Sequence, residues 1–310
     1  MFHTLFVPLD GSEFSERSLP LARVIAREAS STIHLVQVHA PTVPGHLLSS
    51  TQFEYQGLDL EAYAARHREE TGAHMTSLAD ALEADGITVR PAVLEGRVVE
   101  TLAEHAASVE ADLIVMTTHG RSGANRLWLG SVADGLVRHT HIPILMVRAS
   151  EDQGEAAERA EPETLEHILV PLDGSDLAEL ILAPAAGLAR ATGARLTLAH
   201  VVASHSAMGA GLVPLLPDDI VRIRDQADAY LQKVAAQLSA DGLTVDTHLA
   251  EGDTPPSVIT AIAKEVGADL IALATHGYGG MKRAVLGSVA DKVLRSSPLP
   301  LLVLRPEAEV

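Results

Sequence analysis

The stretch that decides the fold is MTTHGRSGANRLWLGS, residues 116–131, and it occurs twice. The second copy, LATHGYGGMKRAVLGS, spans residues 273–288. In each copy Thr-His-Gly is followed after nine residues by Gly-Ser and then by an apolar run typical of a helix. A continuous apolar run, of the kind that forms a parallel strand buried on both faces, leads into each copy. The stretch therefore predicts a strand end, a glycine loop and a helix start.

The two predicted helix starts favour an anion. Ser131 and Ser288 open the helices, whose first N–H groups have no intrahelical acceptor and whose dipole favours negative charge. Glycines allow the backbone to approach an oxyanion closely. These glycines are Gly120, Gly130, Gly277 and Gly287. We interpret each copy as a phosphate cradle, with a tight strand-to-helix connection that binds no ligand as the alternative.

Composition narrows the class of protein. A chain of 310 residues that is 47% apolar suits two globular domains. The net charge of -18 argues against nonspecific affinity for nucleic acid or anionic lipid. The chain has no cysteine, which excludes disulfides and thiolate metal sites. The opening MFHTLFVPLDGSE does not resemble a secretory signal, and no apolar run is long enough to span a bilayer, so we expect a cytoplasmic protein.

The first half reads as five strands alternating with four helices. We predict strands at 4–9, 32–38, 87–94, 112–116 and 144–147, and helices at 13–29, 58–85, 98–109 and from 131 onward. Residues 41–57 carry Pro, Gly and Ser without a clear period and are expected to form a long loop. The alternation predicts a parallel sheet with right-handed crossovers.

The pattern restarts after an acidic linker. HILVPLDGSD at 167–176 matches TLFVPLDGSE at 4–13, so Asp173 corresponds to Asp10. Residues 204–217 match the long loop of the first half. A period near 160 residues indicates two copies of one domain. We predict domains at 1–148 and 165–306, joined by the linker 149–164.

Asp10 ends the first strand, and Gly120 follows the fourth. In an open parallel sheet, ligands bind at the carboxyl ends of strands where the strand order reverses, so the two residues face one crevice if their strands are neighbours. The carboxylate can accept from a ribose hydroxyl or an adenine amino group, which suits a nucleotide. The alternative is that Asp10-Gly11-Ser12 only caps the next helix. The recurrence at Asp173 fits both interpretations.

Several polar side chains near the cradles have two interpretations. His119 and His276 invite a catalytic role, but the absence of a nucleophile beside them favours hydrogen bonding to the backbone. The cations of the loops either contact the outer phosphates or only solvate the loop, and the sequence favours neither. They are Arg121, Arg126, Lys282 and Arg283.

A metal site and the common enzyme signatures are not supported. His105, His139 and His141 could suggest a metal site, but their counterparts in the second copy are Ile262, Ser296 and Pro298, so we treat the three histidines as incidental. The chain contains no GxxxxGK[ST], GxSxG or HExxH, and no GxGxxG follows its first strand. A nucleotide held without an evident base resembles the ligand of a sensor more than a substrate.

These residues together resemble the universal stress protein family, as a tandem of two such domains. ATP-binding members of that family carry GxxG, nine residues, then Gly and Ser or Thr. This chain keeps the last three elements in both copies, with Thr117 and Ala274 at the first glycine. The strand-one aspartate of the family matches Asp10 and Asp173, and its strand-two valine matches Val38 and Val201.

The resemblance implies an α/β fold of two Rossmann-like, adenine nucleotide alpha hydrolase-like domains, each a five-stranded parallel sheet flanked by helices. It implies strand order 3-2-1-4-5 in each domain and ATP as ligand, with Mg²⁺ held through the phosphates. Matching the motifs residue by residue gives the expected nucleotide contacts. In the first half these are Pro8, Asp10, Val38, Met116, Thr117, His119, Gly120, Arg121, Gly123, Gly130, Ser131 and Val132. In the second half they are Pro171, Asp173, Val201, Ala274, His276, Gly277, Gly280, Gly287, Ser288 and Val289.

The last strands, 144–147 and 301–304, are short and apolar, and pairing them removes two exposed edges. We therefore expect an intrachain pseudo-dimer, with a homodimer left open and with neither nucleic acid nor membrane as a partner. The expected function is an ATP-binding regulatory protein with little or no turnover. The alternatives are a weak ATP-hydrolysing enzyme and a nucleotide-free dimerising scaffold. Because Arg121-Ser122 corresponds to Tyr278-Gly279, we expect the two sites to differ in affinity.

Overall fold

The computed structural model describes residues 2–39, 60–118, 129–148, 164–203, 217–275 and 287–306. Its first half contains β1 (Thr4–Leu9), α1 (Glu13–Glu16), α2 (Leu19–Ala29), β2 (Thr32–His39), α3 (Leu60–Glu83), β3 (Thr88–Glu95), α4 (Val98–Ser108), β4 (Leu113–Thr117), α5 (Ser131–His139) and β5 (Ile144–Val147). The five predicted strands are present, with ends displaced by at most one residue. The linker before Thr164 and the long loops at 41–57 and 204–216 lie outside the described residues.

The second half repeats this order. It contains β6 (His167–Pro171), α6 (Asp176–Glu179), α7 (Leu182–Thr192), β7 (Arg195–Val202), α8 (Pro217–Ala240), β8 (Val245–Glu251), α9 (Pro255–Val266), β9 (Leu270–Ala274), α10 (Ser288–Ser296) and β10 (Leu301–Leu304). The α/β fold of two similar halves is confirmed.

All ten strands form one sheet, in the order β3-β2-β1-β4-β5-β10-β9-β6-β7-β8. Pairing within each half is parallel, whereas β5 and β10 pair antiparallel, with Met146 opposite Leu301 and Ile144 opposite Val303. Each half therefore has the expected order 3-2-1-4-5, and the two last strands cover each other's edges. The predicted pairing of the halves within one chain is present in the structure.

Apolar residues on both faces of the strands hold this sheet between helices. Along β1, Leu5 and Val7 pack on the face covered by α2, α3, α7 and α8, while Phe6 packs on the face covered by α4, α5, α9 and α10. All three side chains are fully buried. Each face contains a hydrophobic cluster with members from both halves, so the core is continuous across the β5–β10 junction.

The predicted helix over 13–29 is wrong as a single element. The structure breaks it into α1 and α2 at Arg17 and Ser18. Pro20 supplies the physical reason, because it has no N–H to donate to the carbonyl of Glu16 and its ring crowds that carbonyl. The Ser18 hydroxyl instead donates to the Ser15 carbonyl at 2.8 Å. In the second half a proline also lies in the first turn of the second helix, because Pro184 is the third residue of α7.

An aspartate before β4 joins the amino ends of two strands. Oδ2 of Asp112 accepts hydrogen bonds from the backbone N–H groups of His3 (2.6 Å) and Thr4 (2.9 Å). Asp269 does the same in the second half, accepting from Glu166 and His167 at 2.9 Å each. The two bonds fix the first and fourth strands of each half side by side, which positions the crevice at their opposite ends.

A glycine lets α5 lie close to α4. A Cβ on Gly135 would stand 2.6 and 2.8 Å from the two methyl carbons of Val99 and 3.3 Å from its Cβ. Rotating Val99 cannot relieve contacts with both methyls and the Cβ, so any larger residue at 135 must push the helices apart. The position of α5 on the sheet therefore depends on this glycine.

Replacing Gly135 with alanine should be destabilising relative to a matched glycine elsewhere. Gly72 lies inside α3, and a Cβ there would meet nothing within 4 Å. Both substitutions gain the same helix propensity, so their difference isolates the clash with Val99, which we expect to be about 1–3 kcal/mol. Urea unfolding of Gly135→Ala and Gly72→Ala measures it. Equal stability of the two variants would mean that α4 and α5 are not closely packed at Gly135.

Candidate functional site

The candidate site of each half lies where the strand order reverses. β1 has β2 on one side and β4 on the other, and Phe6 is in register with Ile114. Strand β1 is therefore the neighbour of β4, as the crevice proposed from the sequence requires. Continuing the register two residues places Pro8 beside Met116 at the carboxyl ends. In the second half Leu169 is in register with Ile271, which puts Pro171 beside Leu273 in the same way.

The helix that follows β4, α5, begins with backbone N–H groups that lie before its first helical hydrogen bond. The Gly130 N–H donates to the Thr118 carbonyl at 2.7 Å, and the first helical bond runs from the Asp134 N–H to the Gly130 carbonyl at 2.9 Å. The N–H groups of Ser131 and Val132 therefore have no acceptor within the helix. Such a helix start binds anions, because the unpaired donors and the dipole both attract negative charge.

The second half reproduces this geometry. The Gly287 N–H donates to the Thr275 carbonyl at 2.5 Å, and the Asp291 N–H donates to the Gly287 carbonyl at 2.9 Å. Ser288 and Val289 occupy the positions of Ser131 and Val132. The two cradle helices, α5 and α10, thus begin in the same way.

Thr118 and Thr275 are structural residues that the sequence analysis missed. Thr118 is 5% exposed and its N–H donates to the Val147 carbonyl at 3.0 Å, while its own carbonyl holds Gly130. Thr275 is fully buried and donates to the Leu304 carbonyl at 2.8 Å. Each threonine therefore joins the last strand to the start of a cradle helix. Their recurrence in the Thr-His-Gly motif was the available signal.

The aspartate after the first strand orients the helix cap. Oδ1 of Asp10 accepts from the N–H of Ser12 at 3.0 Å and from its hydroxyl at 2.5 Å. The Ser12 hydroxyl in turn accepts from the Ser15 N–H at 3.2 Å, so the N-cap is the serine and the aspartate supports it. Asp173 makes the same two bonds to Ser175, at 3.0 and 2.6 Å. The Asp-Gly-Ser turn therefore does cap the helix, but the serine is the capping residue and the aspartate holds that serine in place.

The other residues predicted to contact nucleotide either lie at the carboxyl ends of the strands or fall outside the described residues. Leu9 is in register with Gln37, so Asp10 stands next to Val38, which packs on the same face as Met116 and Val132. Val201 and Leu273 lie on that face in the second half, whereas Ala274 packs on the other. Thr117 ends β4 and is buried. The loop residues His119, Gly120, Arg121, Gly123, His276, Gly277 and Gly280 are outside the described residues, as are the loop cations.

The histidines considered for a metal have other contacts. His105 packs edge-on against the Phe6 ring at 6.0 Å, and His139 Nδ1 lies 2.8 Å from the Gly135 carbonyl, to which it donates. His141 Nδ1 lies 3.3 Å from the Arg305 carbonyl. Within the described ranges no group of three or more His, Asp or Glu is arranged to hold a metal ion.

A polar position near the carboxyl end of the second strand differs between the halves. Gln37 is 5% exposed, and its Oε1 accepts no hydrogen bond from the described residues. The equivalent residue on β7 is His200, whose Nδ1 is also buried without a partner in the described part of the chain. The ring of His200 lies edge-on to Tyr230, with centroids 6.2 Å apart. The halves are therefore not chemically identical at this position of the second strand.

Burial sets the ionisation of this pair. It lowers the pKa of His200, and the nearby Asp173 carboxylate offsets this only in part. It also raises the pKa of Tyr230, with the carboxylate of Glu179 adding to the effect. His200 is consequently neutral, and Tyr230 protonated, at neutral pH. In the first half His74 stands at the position of Tyr230 and lies 2.8 Å from Glu16.

Comparison with known proteins places these features in a family. The model of the universal stress protein family matches residues 1–148 and again residues 164–305. A universal stress protein of Mycolicibacterium smegmatis is 28% identical over 303 residues, covering 96% of each chain. The universal stress protein YxiE of Bacillus subtilis is 32% identical over 145 residues, which is 97% of its own length and 44% of this chain.

A solved structure shows the same fold along the whole chain. A universal stress protein from Archaeoglobus fulgidus superposes with a TM-score of 0.71 at 22% identity, covering 97% of this chain and 98% of its own. The architecture of two paired halves is therefore shared with that protein. Among the helices that the structure describes, none is both long and apolar enough to cross a lipid bilayer.

The partly buried His200 should make stability depend on pH. Because the pKa of His200 in the folded protein lies below its ordinary 6.5, the unfolded chain binds the proton more readily. The stability that neutral His200 provides is fully present above pH 6.5 and is lost as the pH falls below that value. His200→Gln, which copies Gln37, should flatten this loss in urea unfolding at pH 7.5 and 5.5.

His3→Gln is the matched control, since the His3 side chain is exposed. It should keep the pH dependence of the parent protein, to which the partly buried His34 and the buried His167 also contribute through their lowered pKa values. A parent-like pH dependence in His200→Gln would show that burial of this ring does not resist protonation.

Proposed function

Because this chain belongs to the universal stress protein family, we propose that it binds an adenine nucleotide at the carboxyl edge of each half and acts as a nucleotide-responsive regulatory protein. ATP is the proposed ligand, with Mg²⁺ held through its phosphates. Little or no turnover is expected, since the sequence contains no evident catalytic nucleophile-and-base pair beside either cradle. The occupied state would alter the neighbouring loops and thereby the binding of a partner.

One observation carries this proposal. Two helix starts whose first N–H groups have no helical acceptor, at Ser131 and Ser288, follow strands that neighbour the strands leading to Asp10 and Asp173, where the strand order reverses. The donor set fits a polyphosphate, because it consists of backbone N–H groups and a serine hydroxyl at the positive end of a helix dipole. The carboxylate suits the hydroxyl or amino donors of a nucleoside.

The overall charge makes local geometry decisive. With 41 acidic against 23 basic residues the chain repels anions at long range. A phosphate would therefore be bound by the helix start and the glycine loop and not by a general positive field. This predicts an affinity that depends on the backbone at Gly130 and Gly287 more than on any one exposed cation.

The scaffold alternative is supported by one observation. Thr117 and Ala274 stand where ATP-binding relatives carry the first glycine of the motif, and both add a Cβ at the strand end. In a scaffold of this kind the two added side chains would exclude nucleotide from both cradles. The continuous sheet would then serve only to hold the two halves together.

Replacing the cradle glycines tests the proposal. Gly130 has φ -58° and ψ 150°, and Gly287 has φ -61° and ψ 153°, which any residue adopts without strain. Valine at either position should therefore fold and should block phosphate from the amides. Calorimetric titration with ATP and Mg²⁺ should show two sites of unequal affinity in the parent, one in each single variant and none in Gly130→Val, Gly287→Val.

Two further measurements separate the alternatives. Circular dichroism confirms that the double variant is folded, and release of inorganic phosphate measures turnover. Robust hydrolysis that disappears in the double variant would replace the regulatory proposal with the enzyme alternative. A folded parent protein that does not bind ATP with Mg²⁺ would leave the scaffold as the function.

A further inference from the structure

Two arginines cross from one half of the molecule to the other. Arg148 directly follows β5, and its Nη1 donates to the carbonyls of Arg295 (3.1 Å) and Ser297 (2.8 Å) in the second half. Arg305 directly follows β10 at the equivalent position, and its Nη1 donates to the carbonyl of Arg138 in the first half. The exchange is reciprocal, as the pseudo-twofold relation of the halves requires.

These carbonyls belong to the far ends of the two cradle helices. Arg138 lies in the last turn of α5, and Arg295 lies in the last turn of α10, with Ser297 as its C-cap. The last carbonyls of a helix have no intrahelical donor, and a cation near them also complements the helix dipole. Each cradle helix is therefore capped at its C-terminus by an arginine of the other half.

The cradle helices do not use their own arginines for this cap. Arg138 forms a two-pronged bond with Asp134, at 2.9 and 3.1 Å, and Arg295 does the same with Asp291, at 2.8 Å for both bonds. These guanidinium groups point back along the helix surface. Arg148 and Arg305 thus supply donors to the carbonyls of Arg138, Arg295 and Ser297.

A continuous path of bonds links the two candidate sites. Starting from one cradle, Gly130 is bonded to Thr118, and Thr118 is bonded to Val147, the residue that precedes Arg148. Arg148 then reaches the end of the other cradle helix. The reverse path runs from Gly287 through Thr275 and Leu304 to Arg305 and α5. Each helix has only nine residues, about 14 Å, so its two ends move together.

We propose that Arg148 and Arg305 are positioning residues for the phosphate cradles, each serving the cradle of the opposite half, so that the two sites depend on each other. This inference rests on the proposed nucleotide function. Arg148, in the first half, is expected to affect the second site, and Arg305, in the second half, is expected to affect the first site. A general loosening of the sheet junction would instead weaken both sites alike.

Single-site backgrounds make the crossed effect measurable. Gly130→Val leaves only the second site, and Gly287→Val leaves only the first. In the Gly130→Val background, Arg148→Met should lower affinity for ATP with Mg²⁺ roughly three- to tenfold, the size expected for a charged group at a helix terminus. In the Gly287→Val background the same change should alter affinity less than twofold. Arg305→Met should show the opposite pattern.

Two controls exclude simpler explanations. Arg148→Lys keeps the positive charge but lacks the planar guanidinium with its several N–H donors. It should therefore recover part of the affinity that Arg148→Met loses. Arg190→Met removes an exposed arginine that pairs with Asp241 and should leave both sites unchanged. Equal weakening of both sites by either arginine variant would overturn the inference, as would no change in either background.

Amide hydrogen exchange without nucleotide separates this inference from the proposed function. Arg148→Met should speed exchange in the last turn of α10 and not in α5, while Arg305→Met should do the reverse. If the parent protein binds no ATP, the proposed function fails, yet crossed exchange would still support the action of each arginine on the opposite helix. Uncrossed or unchanged exchange would overturn it.

Discussion

The antiparallel pairing of β5 with β10 is the constraint on which the rest of the molecule depends. Each strand has only four residues, and each would otherwise be the exposed edge of a five-stranded sheet. Their pairing removes both edges and allows the hydrophobic clusters on the two faces to run through both halves. Because the pairing is antiparallel, the strands of the two halves run in opposite directions. The carboxyl ends of the two halves, and with them the two candidate sites, therefore face opposite sides of the molecule. The same geometry places the residue after one strand beside the turn that precedes the other, which is how Arg148 meets the end of α10.

The halves share a backbone design but not the chemistry beneath it. The helix starts, the threonines that hold them and the Asp-Ser caps recur with closely similar bond lengths. The polar residue under the strand end does not recur, since Gln37 is replaced by His200 with Tyr230 beside it. The groups that fix the backbone are thus the same in both halves, whereas this polar side chain differs in size and hydrogen-bonding capacity. Unequal sites are the expected consequence.

The sequence was sufficient for elements set by local pattern. Buried parallel strands such as Leu113–Thr117 are continuous apolar runs, and the second copy confirmed where they recur. The single helix predicted over 13–29 was wrong because its apolar spacing outweighed Pro20 in the interpretation. The linker and the glycine loops lie outside the described residues, so the predictions that fall on them stay predictions.

Contacts between elements could not be predicted from the sequence in the same way. Asp112 precedes an apolar run like many surface aspartates, and only the neighbouring position of β1 and β4 reveals its bonds to His3 and Thr4. Helix propensity alone makes Gly135 unfavourable in α5, and nothing near it in the sequence indicates its close contact with Val99. Arg148 follows a strand without any local signal, since its acceptors are 147 and 149 residues away. Such roles depend on topology, which a single half does not specify.

The most direct test of the account is to identify and count the nucleotide released when the protein, purified from cells, is denatured. Mass spectrometry of the released small molecules gives both identity and stoichiometry. We expect ATP or ADP, at more than one and close to two per chain, because both halves present the same cradle. The absence of nucleotide, together with no binding when ATP and Mg²⁺ are added to the folded protein, would contradict it.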